Sequence, residues 1–428
     1  MFSLKTIFNY KFVKDSAYTF ASFIFIALSG IIVNVLIGNN YEVSSLGIFN
    51  QSVAIYMIFS ILSVLGLNTS VVKYIAQYNQ DKKTQKEIFT TAFILTLCFS
   101  LFITSFLLFL AYLFPVIYFN KDVTKATIIT LFSLPFLSLN KIFMALQNAL
   151  RHMKAYSIVQ SVRWLIILSF IFISIILNKS FYFLMYTFLF SELLIFIYFI
   201  LFYSDYFSIK AKYSSWYKKN FNFGIKSVLL GFLSEIYNKI DIFLIGFLLS
   251  NYYVGIYSFA AEIAKGLLLV GSIIQLNINP IVSNLTNNGD IATLKKYTLS
   301  ISKLMYLIII PIIFLAAFLF PLFINLFMSE KAYLESIPIF YILLPGVFIL
   351  SVYYFAGAYL TMANYLNESF IILAIVLIYN TLTCILFITL FGFWGAAIST
   401  STTYILLVLL FHYFIKKKMN IPLINLNL

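Results

Sequence analysis

The sequence predicts an all-α integral membrane protein, with about 12 transmembrane helices in two parallel six-helix repeats around a central cavity. Three observations predict it. Of 428 residues, 62% are hydrophobic and only 10% charged, with a mean hydropathy of +1.00; soluble domains carry about 25% charged residues. Apolar runs of roughly 20 residues recur along the whole length, enough for a helix to cross a bilayer. Membrane β-strands would instead alternate with period two in runs of about ten. Finally, the chain repeats itself about 208 residues apart: VLIGNNYEVSSLGIFN around Gly38 returns as FLIGFLLSNYYVGIYS around Gly246, and Gly47 maps to Gly255. Phe114-Pro115 recurs as Phe320-Pro321, and Leu134-Pro135 as Leu344-Pro345.

The first half holds six candidate spans, at about 16–38, 46–70, 88–114, 126–148, 157–178 and 180–203. The run from Ser16 to Gly38 is too long for a signal-peptide core and reads as a retained first helix. The second half holds six more, at about 223–249, 253–278, 298–327, 336–361, 369–391 and 393–415. The expected organisation is an N-terminal bundle over 1–203, a basic, aromatic cytoplasmic linker over 204–222, and a C-terminal bundle over 223–428 ending in a short basic tail. The linker is expected to lie on the inner membrane surface.

Loop charge orients the chain. With the N-terminus inside, 18 Lys and Arg fall on cytoplasmic segments, among them Lys5, Lys11, Lys14, Lys82, Lys83, Arg151, Lys295 and Lys416. Only Lys121, Lys125, Lys179 and Lys331 fall outside. That bias places both termini in the cytoplasm. Six spans per half then give both halves the same orientation, so the repeats are parallel rather than inverted. The net charge of +14 is accounted for by this bias and by anionic headgroups, without nucleic acid.

Charges at bilayer depth cost roughly 2.5–3.5 kcal/mol each on insertion scales and mark cavities or partners. The seventh span carries Glu235, Lys239 and Asp241; the eighth carries Glu262 and Lys265. The first half offers Lys141, Arg163 and Glu192. Glu235 and Lys239 stand four apart and Glu262 and Lys265 three apart, so pairing within each helix is one reading. Asp241 has no such neighbour. It needs a partner on another helix, a water-filled cavity or a cation. Pro135 and Pro345, repeat mates in their halves' fourth spans, would suit hinges or static kinks equally. The polar ends GLNTSVVKYIAQYNQ and QLNINPIVSNLTNN occupy matching places in the two halves and would suit a cavity mouth.

Other chemistry finds no residues to rest on. Cys98 and Cys384 lie alone in apolar runs, and His152 and His412 are far apart, so no metal spacing exists. There is no Walker A pattern and no GxSxG. The chain is not expected to be an enzyme, and no cofactor or metal is expected.

KIDIFLIGFLLSNYYVGIYSFAAEIAK resembles the seventh-to-eighth span region of the polysaccharide-exporter branch of the MOP superfamily, which includes Wzx-type O-antigen and capsule flippases. Its family positions are Asp241, Ile245-Gly246, Gly255-Ile256-Tyr257-Ser258 and Ala260-Ala261. SSLGIFN and the segment after it match the family's second span. Several members carry Arg just after the Asp; here Ile242 follows, and Lys239 precedes by two. The resemblance implies a MATE-like transporter of the bacterial inner membrane. It would flip undecaprenyl-diphosphate-linked oligosaccharide units for O-antigen, capsule or related lipopolysaccharide biosynthesis from the cytoplasmic to the outer leaflet by alternating access. For such a cargo, Lys239 and Lys265 are expected to hold the diphosphate, helped by Lys141 or Arg163, with Asp241, Glu235 and Glu262 in coupling or gating roles. Tyr237, Asn238, Tyr257 and Tyr379 would accommodate sugar. Coupling to a proton or sodium gradient stays open, as does partnership with a polysaccharide polymerase and chain-length regulator. A MATE-type multidrug or metabolite exporter would favour an acid-rich site. An O-antigen polymerase needs a large outer loop, and a lipid II flippase usually has further spans.

Overall fold

Lipid offers no hydrogen bonds to a backbone, so apolar runs of this length form helices, which satisfy their own amides. The computed structural model describes residues 10–114, 118, 120–363 and 365–423, and among them there are helices and turns but no strand. Lys5 and Pro115, and the side chains of Lys11, Lys14, Lys212 and Pro280, lie outside the described residues. The chain forms two compact units: Met1–Asn40 with Gln51–Glu235, and Tyr41–Asn50 with Ile236–Leu428.

The first unit contains α1 (Tyr10–Asn40), most of α2 (Val43–Val64), α3 (Leu67–Gln77), α4 (Lys82–Leu113), α5 (Lys121–Leu131), α6 (Leu134–Ala149), α7 (Met153–Ile176), the single turn α8 (Phe181–Leu184), α9 (Thr187–Tyr203) and the start of α10 (Trp216–Leu248). The expected second span breaks at Leu65 and Gly66, both left-handed, and resumes as α3. The expected fourth span is a bent pair, α5 and α6, turned through 48°, with Pro135 in the first turn of α6. Proline is welcome there because that turn's amides have no intrahelical partner. Aromatic rings fill the core, with Phe143 stacked on Phe199 at 4.8 Å.

Residues 204–222 are packed into this unit. Two short 3₁₀ turns lead into α10; the Ser208 amide donates to Thr90 Oγ1 at 2.9 Å. Buried Asn220 donates to Thr91 Oγ1 at 2.8 Å and accepts from Ser70 Oγ at 2.7 Å. Trp216 lies against Tyr74 and Tyr78. Ile209, at 96% exposure, is the outward-facing part.

The second unit holds the rest of α10, α11 (Asn251–Gly266), α12 (Leu268–Asn287), α13 (Ile291–Phe327), α14 (Ser336–Tyr353), α15 (Ala356–Met362), α16 (Leu366–Phe391) and α17 (Phe393–Met419). Pro345 sits inside α14 without breaking it. The next amide, Gly346, donates to Ser401 Oγ at 3.0 Å, so α17 supplies an acceptor where the proline disturbs the helical ladder.

Ten segments are long and apolar enough to cross a membrane, or eleven with the bent α5–α6 pair, among the described residues. The remaining expected span is α10. At 33 residues it has ample length. It does not meet the same standard of apolarity, because it carries Glu235, Lys239 and Asp241.

Candidate functional site

The helices α10 and α11 form a hairpin whose turn falls at Leu249 and Ser250. Residues about equally far from such a turn stand at similar depth, which brings Lys239 to Glu262; Lys265 lies further from the turn than Asp241 and reaches back to it, which gives a second ion pair. Lys239 Nζ lies 2.7 Å from Glu262 Oε1, and Lys265 Nζ lies 3.2 Å from Asp241 Oδ2. Both pairs are between helices. The within-helix pairing of Glu235 with Lys239 and of Glu262 with Lys265 is not what forms. No ion pair of Glu235 occurs among the described residues; it is half-buried near Lys141.

Asp241, the residue without a helical neighbour, is the most fully engaged. Tyr257 Oη donates to its Oδ2 at 2.7 Å, and the Ile242 amide donates to Oδ1 at 2.9 Å. The Thr400 hydroxyl of α17 lies 3.2 Å from Tyr257 Oη and 3.5 Å from Asp241 Oδ2. Tyr257 has one proton and gives it to Asp241, so Thr400 is the donor in that contact. Taking a carboxylate out of water costs several kcal/mol, and an ammonium plus the Tyr257 hydroxyl and the Ile242 amide offset it. Lys265 also donates to the Asn238 carbonyl at 2.8 Å. In a regular helix that carbonyl serves the Ile242 amide. Both ends of one backbone bond of α10 are thus shared with the network. Tyr257 is wholly buried in it.

The first unit has its own charged cluster. Arg163 Nε lies 2.8 Å from Glu192 Oε1, and its Nη2 donates to Oε2 at 3.3 Å, a forked contact. Asn140 Nδ2 donates to Glu192 Oε2 and to the Glu192 carbonyl, each at 2.8 Å. Arg163 is therefore held inside the unit, largely buried, and does not reach outward to a membrane surface. Lys141 donates to Ser60 Oγ at 2.7 Å. Among the four described intramembrane cations in question, it alone has no carboxylate within 4 Å. Thus Lys239, Asp241, Glu262 and Lys265 come together in the second unit, and Lys141 and Arg163 in the first. Pro135 and Pro345 lie on α6 and α14, a bend and an unbroken helix respectively.

Sequence reasoning missed Ser60, Asn140, Thr400 and Tyr404, none of which carries a charge. It named Glu192 and Arg163 without pairing them. The hairpin rule could have done so, since they stand about 15 residues either side of the turn near Leu177 and Asn178.

A family model described as polysaccharide biosynthesis protein matches residues 12–286, from α1 through α12, including every one of these charges. The chain belongs to that family. Among curated proteins, no sequence matches this family member. Its fold is that of MOP superfamily transporters. It is similar to an inward-facing multidrug resistance MATE family transporter (TM-score 0.81, 14% identity, 92% of this chain and 94% of that one). It is also similar to the lipid II flippase MurJ in an inward closed conformation (0.75, 19%, 94% and 87%). A third likeness is to a MOP superfamily transporter from Pyrococcus furiosus, reported to have a binding pocket of reversed polarity (0.70, 13%, 95% and 96%). Family and fold together make this a multi-pass membrane protein of the flippase and transporter kind, and these neighbours are transporters, not enzymes.

Proposed function

We propose that this protein flips undecaprenyl-diphosphate-linked oligosaccharide repeat units across the bacterial cytoplasmic membrane, from the inner to the outer leaflet, by alternating access. The observation that carries the reading is the family match over residues 12–286. The likeness to a lipid II flippase supports it at the level of fold. So does the chemistry of the two charged clusters. Their cations stand at bilayer depth, where an anionic diphosphate attached to a lipid would need them, and each carboxylate offers a partner that an incoming phosphate could replace. Lys141, Lys239, Lys265 and Arg163 are the candidate cations. Asp241, Glu262 and Glu235 are the candidate coupling or gating carboxylates, and Pro135 and Pro345 the candidate hinges. A proton or sodium gradient would drive the cycle, and a polymerase with its chain-length regulator would receive the product outside. Both termini would lie in the cytoplasm.

The second reading is a multidrug or metabolite exporter, favoured by the likeness to MATE transporters. An organic cation as cargo would want an excess of acid, whereas here each intramembrane carboxylate of the second-unit cluster is matched by a lysine.

A strain lacking this chain separates the readings. The proposal expects loss of surface polysaccharide and accumulation of lipid-linked repeat unit on the inner leaflet. Unchanged surface glycan with new sensitivity to small toxic cations would make it an exporter. Single unpolymerised units at the surface would make it a polymerase.

A further inference from the structure

The two ion pairs of the second unit are not alike. Asp241 and Lys265 are closed in: their side chains are 2% and 16% exposed, and both are held by further hydrogen bonds. Glu262 and Lys239 are 35% and 19% exposed. Glu262 also stands within electrostatic reach of Lys265. It can therefore release Lys239 and still keep a cation nearby.

A second layer lies one helical turn from Asp241. Tyr237 precedes Asp241 by four residues on α10, and Tyr404 follows Thr400 by four on α17. Because Asp241 and Thr400 meet, the next turn of each helix brings the two tyrosines together, edge to face at 6.3 Å. Both are more than nine-tenths buried, and Tyr237 Oη has no protein hydrogen-bond partner among the described residues. The Tyr404 phenol stands within electrostatic reach of Lys239 and Glu262. A buried hydroxyl left unpaired is costly, and such a cost is retained where a ligand supplies the missing acceptor.

We infer that Tyr237, Tyr404 and Lys239 form the subsite for the substrate's diphosphate, while Lys265 is reserved for Asp241. This deepens the proposed function and rests on it. Phosphate oxygens are strong acceptors that need several donors. Here two lysines already face two carboxylates, so the site has no surplus positive charge to give. Neutral phenol donors add hydrogen bonds to an anion without changing that balance, and Lys239 exchanges one oxygen partner for another.

The test is binding of undecaprenyl diphosphate, with no sugar attached, to the purified full-length protein, alongside its thermal stability. Tyr237→Phe keeps the ring and its contact with Tyr404 and removes only the hydroxyl. The expected result is about tenfold weaker binding or more, with Tm unchanged or raised, since an orphan polar group is gone. Tyr404→Phe is expected to behave alike, and Lys239→Gln to weaken binding more than Lys265→Gln. Unchanged affinity in Tyr237→Phe with binding by the native protein overturns the subsite alone. Weaker binding of the sugar-bearing lipid but not of bare undecaprenyl diphosphate also overturns it, by assigning the phenols to the glycan. If the native protein binds neither lipid, the proposed function itself fails.

Discussion

Gly47 and Gly255 are repeat mates, and each lies against the first turn of the helix that carries the other. A Cβ on Gly47 would stand 1.9 Å from the Asn251 carbonyl oxygen; one on Gly255 would stand 2.2 Å from that of Val43. Val43 and Asn251 are themselves mates. Three residues past the glycines, Asn50 Nδ2 donates to Ser258 Oγ at 2.8 Å, a bond between mates 208 residues apart. The repeat visible in the sequence is thus also a physical contact, made by Tyr41–Asn50 within the second unit. Gly47→Ala and Gly255→Ala should each lower stability by about 1–3 kcal/mol or more, because backbone cannot yield as a side chain can. The two losses should be similar. Gly266→Ala, whose Cβ would meet nothing within 4 Å, is the control and should be neutral or slightly stabilising. Thermal unfolding of the purified variants checks all three.

Asp241→Asn should strand the Lys265 ammonium. Removing one partner of a buried pair costs about 3–5 kcal/mol. The double variant Asp241→Asn/Lys265→Met should recover at least half of that stability without restoring surface polysaccharide. Stability measurements and complementation of a deletion strain read the two effects separately. Full complementation by the double variant would remove Asp241 from the transport cycle.

These pairings show where sequence reading stopped. The 208-residue period, the orientation bias and the intramembrane charges need only residue identity and order. Helical spacing can compare a residue only with neighbours on its own helix, so it offered Glu235 to Lys239 and Glu262 to Lys265. The partners lie across the hairpin that turns at Leu249–Ser250: Lys239 and Glu262 stand at similar distances from it, whereas Lys265 stands well beyond the level of Asp241 and only its reach back along the hairpin joins them. Thr400 lies 159 residues beyond Asp241 and Tyr404 one helical turn further, and only tertiary packing brings them to it. The starts of α4 and α13 were placed six or seven residues late for another reason. Their first two turns carry lysines and leave the apolar pattern, and only the capping residues Asp81 and Asp290 announce them.

Lys141→Met should separate transport from stability in the direction opposite to Arg163→Met. The Lys141 ammonium has a neutral partner, Ser60, so removing it relieves a buried charge and should leave Tm unchanged or raised. Transport of lipid-linked substrate should fall sharply, by about tenfold or more if this cation meets the diphosphate. Arg163→Met abandons Glu192 and should destabilise the first unit. A Lys141→Met variant that transports normally would limit its role to packing.

Asp81 and Asp290 cap α4 and α13 at matching places in the two halves, outside the membrane-spanning segments. Asp81 accepts from the Thr84 amide and the Lys83 amide at 3.1 Å, and from the Thr84 hydroxyl; Asp290 accepts from the Thr293 amide at 3.0 Å. Hydrogen bonds from Thr84, and then Lys83, hold the Asp81 carboxyl below its ordinary value, and those from Thr293 do the same for Asp290. A carboxyl whose folded value is depressed contributes stability above the unfolded value, about 3.9, and loses it as pH falls through the folded one. Asp81→Ala and Asp290→Ala should therefore lower Tm by a constant amount between pH 5 and pH 8. Below about pH 4 the gap to the native protein should begin to narrow, and it should close once pH has fallen through the depressed folded values, where the native caps are protonated too. A gap that persists at low pH would mean that the caps act through the neutral carboxyl, as geometry rather than charge.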